Sequence, residues 1–303
     1  MSQTDTSETR CGFVALVGAP NAGKSTLLNQ MVGTKVSIVS PKVQTTRTRV
    51  LGICIENQSQ IAFIDTPGIF APKRRLDRAM VAAAWGGADD ADEIVLLIDA
   101  AKGINADAEE IIRRLKETKR TAILALNKVD QVKKPVLLEL AAKLDQEGVF
   151  SDIFMISALE GIGVGDLLKF LAQKVPEGPW HYPEDQVSDL PERMLAAEIT
   201  REKVFLLLKQ ELPYRITVET EKWEERKDGS VKIDQILFVQ KDGHKRIVLG
   251  KGGQQIKKIG EIARRELEEI LDCKVHLFLF VKVREAWEDD PARYRHWGLD
   301  FNA

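Results

Sequence analysis

Gly18 to Ser25 reads Gly-Ala-Pro-Asn-Ala-Gly-Lys-Ser, and the rest of the chain is best read from this octapeptide. The apolar run before it, Gly12 to Val17, suits a buried strand, and Ser25 to Val32 suits a helix. A glycine-rich turn ending in Gly-Lys-Ser between a strand and a helix is a phosphate-binding loop. Gly18 and Gly23 let the backbone curl so that successive N–H groups point at anionic oxygens. The helix start adds its positive dipole end. On this reading Gly18, Ala19, Pro20, Asn21, Ala22, Gly23, Lys24, Ser25 and Thr26 form the phosphate cradle. Lys24 reaches the β- and γ-phosphates, and the Ser25 hydroxyl ligates Mg²⁺.

Further motifs follow in the order a guanine-nucleotide site requires. Gln60 to Ile64 is a strand ending in Asp65-Thr66-Pro67-Gly68. An Asp there can hold Mg²⁺ through water, and the Gly68 N–H can sense the γ-phosphate. Thr121 to Leu126 is another buried strand, ending in Asn127-Lys128-Val129-Asp130. A carboxylate only accepts hydrogen bonds, and guanine offers Asp130 two donors, N1–H and the 2-amino group. Adenine offers neither there, leaving the charge unpaired at a cost of about 1–3 kcal/mol. Asn127 can bond the guanine edge and the phosphate loop, while the Lys128 stem lies along the base. After the strand Asp152 to Ile156 comes Ser157-Ala158-Leu159, from which a backbone N–H can reach guanine O6.

Between the loop and Asp65 lies Pro41-Lys42-Val43-Gln44-Thr45-Thr46-Arg47. A threonine here is expected to complete the Mg²⁺ shell with GTP bound and to let go after hydrolysis, and Thr46 is preferred to Thr45. The metal set is then Ser25, Thr46 and Asp65, and the hydrolytic set Lys24, Thr46 and Gly68. Small signalling GTPases place a water-orienting Gln directly after the DxxG glycine; here that position is Ile69, followed by Phe70. Neither can hydrogen-bond water. Hydrolysis must use backbone groups, bound ions or a partner, and slow intrinsic turnover is expected.

At 303 residues the chain should hold two domains. A hydrophobic content of 44% allows real cores, and 30% charged residues suit a soluble protein. No apolar run approaches the ~18 residues of a membrane span. Met1 to Arg10 is polar, lacks the pattern of a secretory signal, and reads as a disordered leader. Cys11, Cys54 and Cys273 are odd in number and far apart, which fits a reducing cytosol rather than a disulfide framework. The four histidines show no ligand spacing. The acidic pairs Asp89-Asp90 and Asp92-Glu93 read as a solvated face.

From Gly12 to about Val175 apolar strands alternate with amphipathic helices, the pattern of a doubly wound, mostly parallel α/β sheet. Arg49 to Ile55 and Gln60 to Ile64 read as one antiparallel hairpin at its edge. Pro176-Glu177-Gly178-Pro179 breaks the pattern. A helix, Glu192 to Glu211, then precedes strands at Tyr214 to Glu221 and Val231 to Gln240. Gly250-Lys251-Gly252-Gly253 follows between two short helices, the second running to Leu271, and Val275 to Val283 is a last strand. The expected division is a leader 1–10, a GTP-binding domain 11–178, a linker 179–190, an α+β RNA-binding domain 191–287 and a tail 288–303.

GxxG loops of this kind clamp a nucleic-acid backbone, because glycines admit close phosphate approach. From His244 to Arg265 seven Lys/Arg stand against one acid, Glu261, in a chain of formal net charge −2. Ile247, Gly250, Lys251, Gly252, Gly253, Lys257 and Lys258 are the expected RNA contacts.

A chain carrying GAPNAGKS, QTTR, DTPG, NKVD and SAL, followed by GKGG, resembles the Era family of bacterial ribosome-assembly GTPases, which end in a KH module. The likeness spans nearly everything beyond the leader. It implies a type II KH topology, GTP/GDP with Mg²⁺ as ligands, binding to the 3′ end of 16S ribosomal RNA, and a role in maturing the 30S subunit. It also implies a cytoplasmic protein, taken as a monomer, with some peripheral contact to the inner membrane, for which the sequence shows no device. Asn21 matches the asparagine that related GTPases use to hold potassium, and Phe70 departs from the His many relatives carry. Two competing readings remain open. One is an RNA-binding assembly factor whose nucleotide does not cycle; the other is a membrane-associated regulatory GTPase whose KH-like module binds protein.

Overall fold

A computed structural model describes residues 9–303; the leader lies outside them except for Thr9 and Arg10. Arg10 already opens the first strand, so that strand starts two residues before the apolar run.

The first compact unit contains the described residues up to Ser37, then Thr46–Asp189 and Trp297–Ala303. Its elements are β1 (Arg10–Gly18), α1 (Lys24–Val32), β2 (Val50–Glu56), β3 (Ser59–Asp65), α2 (Arg75–Asp89), β4 (Glu93–Asp99), α3 (Ala106–Thr118), β5 (Ala122–Asn127), α4 (Lys134–Asp145), β6 (Phe150–Met155) and α5 (Val164–Lys174). The sheet order is β2-β3-β1-β4-β5-β6. Only β2 runs antiparallel to its neighbour. Alternate strand residues enter two cores. Ala15, Val17, Ala62 and Ile64 meet α2, α3 and α4 on one face. Val14, Leu16, Ile61 and Phe63 meet α1 and α5 on the other. Burial on both faces is why these strands read as continuous apolar runs.

The segment read as a linker runs along β2. Ile53 N–H donates to Val187 O at 2.9 Å, Ser188 Oγ to Leu51 O at 2.7 Å, and Leu51 N–H to Asp189 Oδ1 at 3.2 Å. Asp92, read as part of a solvated face, does more: its carboxylate accepts the Phe13 N–H at 2.7 Å, fixing β1 beside the start of β4.

The second unit contains Leu190–His296 together with Ile38–Thr45, a segment the sequence placed in the GTP-binding domain. Its elements are α6 (Glu192–Leu207), β7 (Ile216–Glu225), β8 (Val231–Val239), α7 (Asp242–Leu249), α8 (Gln254–Leu271), β9 (Val275–Val283) and α9 (Pro291–His296). The sheet order is β7-β8-β9, with β8 and β9 parallel. Helix α6 stops at Leu207, short of the expected Glu211: Leu208 is already extended (φ −95°, ψ 151°), Gln210 is left-handed, and Leu212-Pro213 begins a 3₁₀ turn. Of the two helices flanking the glycine loop, α7 has 8 residues but α8 has 18 and is not short. Ile38 enters the core with Ala196 and Ile199, Val39 N–H donates to Glu202 Oε1 at 2.7 Å, and Lys42 Nζ donates to Phe205 O and Leu208 O at the end of α6.

Candidate functional site

The phosphate loop joins β1 to α1 and is shaped by close contacts. Gly23 has φ 104°, and a Cβ there would lie 2.2 Å from Asn127 Nδ2. At Gly18 a Cβ would lie 2.6 Å from the Leu97 carbonyl oxygen. Any side chain at either position would displace the loop. Ala19, Ala22 and Pro67 are buried around it, and Thr26 is half-buried in the first turn of α1. Lys24 is 6% exposed and folds back to donate to Gly18 O at 3.0 Å and Ala19 O at 3.2 Å. Burial pulls its pKa down to about 8, against the opposing charge of Asp65. Phosphate oxygens can take over from those two carbonyls.

Beside the loop three side chains converge, the ones the sequence grouped as a metal set. Ser25 Oγ donates to Asp65 Oδ2 at 2.6 Å and lies 2.9 Å from Thr46 Oγ1. Thr45, the alternative, instead bonds Ser40 at 2.6 Å and the Lys42 carbonyl at 2.7 Å. Ser37, which no motif marked, also donates to Asp65 Oδ2, at 2.8 Å. Asp65 is wholly buried, and its second oxygen, Oδ1, has no hydrogen-bond partner. Desolvation raises its pKa, opposed by the Ser25 bond, the Lys24 charge and the bonds from Ser37 and Thr46. One carboxylate and two hydroxyls are hard donors that suit Mg²⁺, whose remaining ligands are usually water and phosphate oxygens. The residues fit the ion.

The loop is closed by the DTPG turn. Thr66 Oγ1 donates to Leu16 O at 2.8 Å, and Ile69 N–H to Gly18 O at 3.1 Å. A Cβ on Gly68 would sit 2.9 Å from Pro20 Cα, so the turn and the loop touch there. Ile69 is buried, and its side chain has no polar atom to present to water.

At the base end Asn127 holds three segments together. Its Nδ2 donates to Ala22 O at 2.8 Å, and its Oδ1 accepts the N–H groups of Lys128 and Ala158 at 2.8 and 2.9 Å. Guanine O6 would therefore compete with Asn127 for the Ala158 donor. Lys128 Nζ donates to Asn21 O at 2.9 Å and pairs with Asp99 at 2.6 Å. Asp99, at the end of β4, was not singled out in the sequence because a lone acid after an apolar strand carries no motif. Asp130 is exposed, Ser157 is buried and caps Glu160 N–H at 3.3 Å, and Leu159 is 72% exposed.

In the second unit the glycine loop takes positive φ at Gly250 (71°), Gly252 (60°) and Gly253 (78°). Lys251, Gly252, Lys257 and Lys258 are exposed, and Ile247 shows more than half of its surface. Beyond the loop an open groove of about 580 Å³ runs between α8 (Ile256, Lys257, Gly260, Arg264) and β9 (Leu277, Phe278, Leu279). The β9 wall was invisible in the sequence, where Val275 to Val283 is only an apolar strand. Arg264 and Arg265 are partly neutralised by Glu268 and Glu261, at 2.7 and 2.6 Å.

The chain is similar to known proteins along its whole length. Residues 13–128 match the model of the 50S ribosome-binding GTPase family, and 211–288 match the KH domain. GTPase Era of Brucella suis biovar 1 is 62% identical over 99% of this chain and 96% of its own length. Two solved structures superpose with TM-score 0.90 and 41% identity, covering 96% of this chain and 99% of theirs. One is a variant of Aquifex aeolicus Era bound to GDP·AlF₄⁻, the other Era with MgGDPNP and nucleotides 1506–1542 of 16S ribosomal RNA. The loop at 18–25, the tetrapeptide 127–130 and the glycine loop thus occur in one chain that is similar to these proteins over nearly its full length, and the chain belongs to the Era family of GTPases.

Proposed function

We propose that this GTPase is a switch that binds the 3′ end of small-subunit ribosomal RNA and assists maturation of the 30S subunit in the cytoplasm. The observation that carries the RNA half is the glycine loop with its open groove and exposed lysines. KH modules use that combination to hold single-stranded backbone. Support for the nucleotide half comes from the buried, unpartnered Asp65 Oδ1 beside two converging hydroxyls. Ser25, Thr46 and Asp65 would hold Mg²⁺, which would neutralise phosphate charge. Loop N–H groups and Lys24 bind and orient the phosphates, Asp130 accepts the guanine donors, and Asn127 ties the base end to the loop. Gly68 and Thr46 sense the terminal phosphate. Ile69 excludes water from one side without activating it, so intrinsic turnover is slow. Asn21 would contribute to a potassium site that adds charge near the phosphates, a role that predicts a lower kcat when sodium replaces potassium.

The test is Lys251→Glu combined with Gly252→Asp in the full chain. Loss of binding to the 3′-terminal ribosomal RNA with GTPase turnover intact is the expected result. Unchanged RNA binding would favour a KH module that engages protein, and GTP that survives saturating RNA and subunits would favour a nucleotide that does not cycle.

A further inference from the structure

The sheet of the second unit has two faces. Val231, Ile233, Leu237 and Val239 of β8 enter the cores under the helices. The intervening Lys232, Asp234, Ile236 and Phe238 belong to the opposite face, and their parallel partners on β9 are His276, Phe278, Phe280 and Lys282. One end of this outer face is covered. Arg293 lies over the Phe238 ring at 4.4 Å and pairs with Glu219 at 2.9 Å, beside the buried Trp287 and Tyr294. Toward the other end the β8 residues Asp234 and Ile236 are buried, while their β9 partners are not: Phe278 is 46% exposed and Phe280 49%.

Two half-exposed aromatics on an edge strand are a liability that soluble proteins usually avoid unless the surface is used. Their spacing is suggestive. Residues i and i+2 on a strand lie about 7 Å apart on one face. RNA-recognition motifs stack successive bases on aromatics placed this way, on a sheet face, within a Phe-x-Phe-Val run. Phe278-Leu279-Phe280-Val281 has that form. Lysines flank the pair, with Lys232 Nζ 5.9 Å from the Phe278 ring centre, although it also pairs with Asp234 at 3.4 Å and Glu224 at 3.7 Å, and with Lys282 on the strand beyond Phe280. The Lys282 pair with Glu221, at 3.4 Å and exposed, is weak enough to exchange for a phosphate. Phe278 also borders the groove, so a strand leaving the groove meets it at the lip of β9.

We propose that Phe278 and Phe280 form a second, base-stacking site for single-stranded RNA, continuous with the glycine-loop groove across the edge of β9. This rests on the reading that the groove binds RNA. The loop and groove hold about four nucleotides; the platform holds the next one or two, by their faces and with little regard to base identity.

The test uses the full chain and two probes cut from the 3′-terminal segment of small-subunit ribosomal RNA. One is just long enough to fill the groove; the other extends beyond it at both ends. Phe280→Leu should weaken the longer RNA about tenfold and leave the shorter one unchanged. Phe280→Trp should restore the longer one, because an indole stacks and a leucine does not. A fluorescent base analogue outside the groove segment should be quenched by the wild type and not by Phe280→Leu. Equal affinity of wild type and Phe280→Leu for the longer RNA overturns the proposal. So does concentration-dependent self-association that Phe280→Leu abolishes without touching RNA binding. Gly252→Asp separates the two claims: if it spares both RNAs the groove reading falls, whatever Phe280 does.

Discussion

Lys24 is a cation with little water, held by two carbonyls and lowered by burial to about 8. Bound phosphate restores the preference for the ammonium. Above about pH 8 the nucleotide-free protein has lost this proton, while the nucleotide-bound protein keeps it. Binding must then take up a proton, and affinity falls by up to about tenfold per pH unit above that point; below it this group leaves affinity flat. Calorimetric GDP titrations in two buffers of different ionisation enthalpy, between pH 7 and 9.5, read the proton uptake directly. Lys24→Met should bind more weakly at every pH and lose the slope. Such residues were legible because phosphate and guanine chemistry demand fixed types at fixed spacings. Ser37 and Asp99 were not, since each is a common residue whose partner, Asp65 or Lys128, is supplied by the fold.

Strands β1, β3 and β5 were readable because both faces of the sheet are covered and their sequences are apolar almost throughout. The grouping of Ile38–Thr45 with the second unit was not, because it depends on partners more than 150 residues away, Glu202 and the last carbonyls of α6. The end of α6 failed for a similar reason: local charge and apolar spacing continue past Leu207, while the backbone turns. Gly52 on β2 shows how a residue that looks like a weakness can be required. A Cβ there would lie 2.5 Å from Leu28 Cδ1 and 2.9 Å from Val32 Cγ2, so α1 packs directly on the strand's backbone. Gly52→Val should destabilise the protein by about 1–3 kcal/mol through overpacking. Urea denaturation would show a lower midpoint at unchanged slope. A neutral result would mean that α1 can shift outward freely, and nucleotide affinity should then change instead.

For the molecule as a whole, one chain carries a site for a guanine nucleotide and a site with the chemistry of a single-strand clamp. Possessing both does not make a switch. A nucleotide that binds two states equally shifts nothing, however tightly it binds. If the sites are coupled, the coupling free energy is a single quantity seen from either end. The ratio of RNA affinities measured with a GTP analogue and with GDP must equal the ratio by which saturating RNA shifts preference between those nucleotides. For biological couplings that ratio is about 5- to 150-fold. The two measurements share no reagents or readout: one is RNA binding at fixed nucleotide, the other nucleotide competition at fixed RNA. Salt gives an internal control. Each exposed lysine in the clamp that meets a phosphate adds about 0.7 to the slope of log affinity against log salt for a single strand. Lys257→Gln and Lys258→Gln should each lower that slope while leaving the coupling ratio intact, because the same contact is lost whichever nucleotide is bound. A ratio of one from both ends would leave two independent binding sites on one chain, and a ratio that differed between the ends would mean that at least one titration had not reached equilibrium.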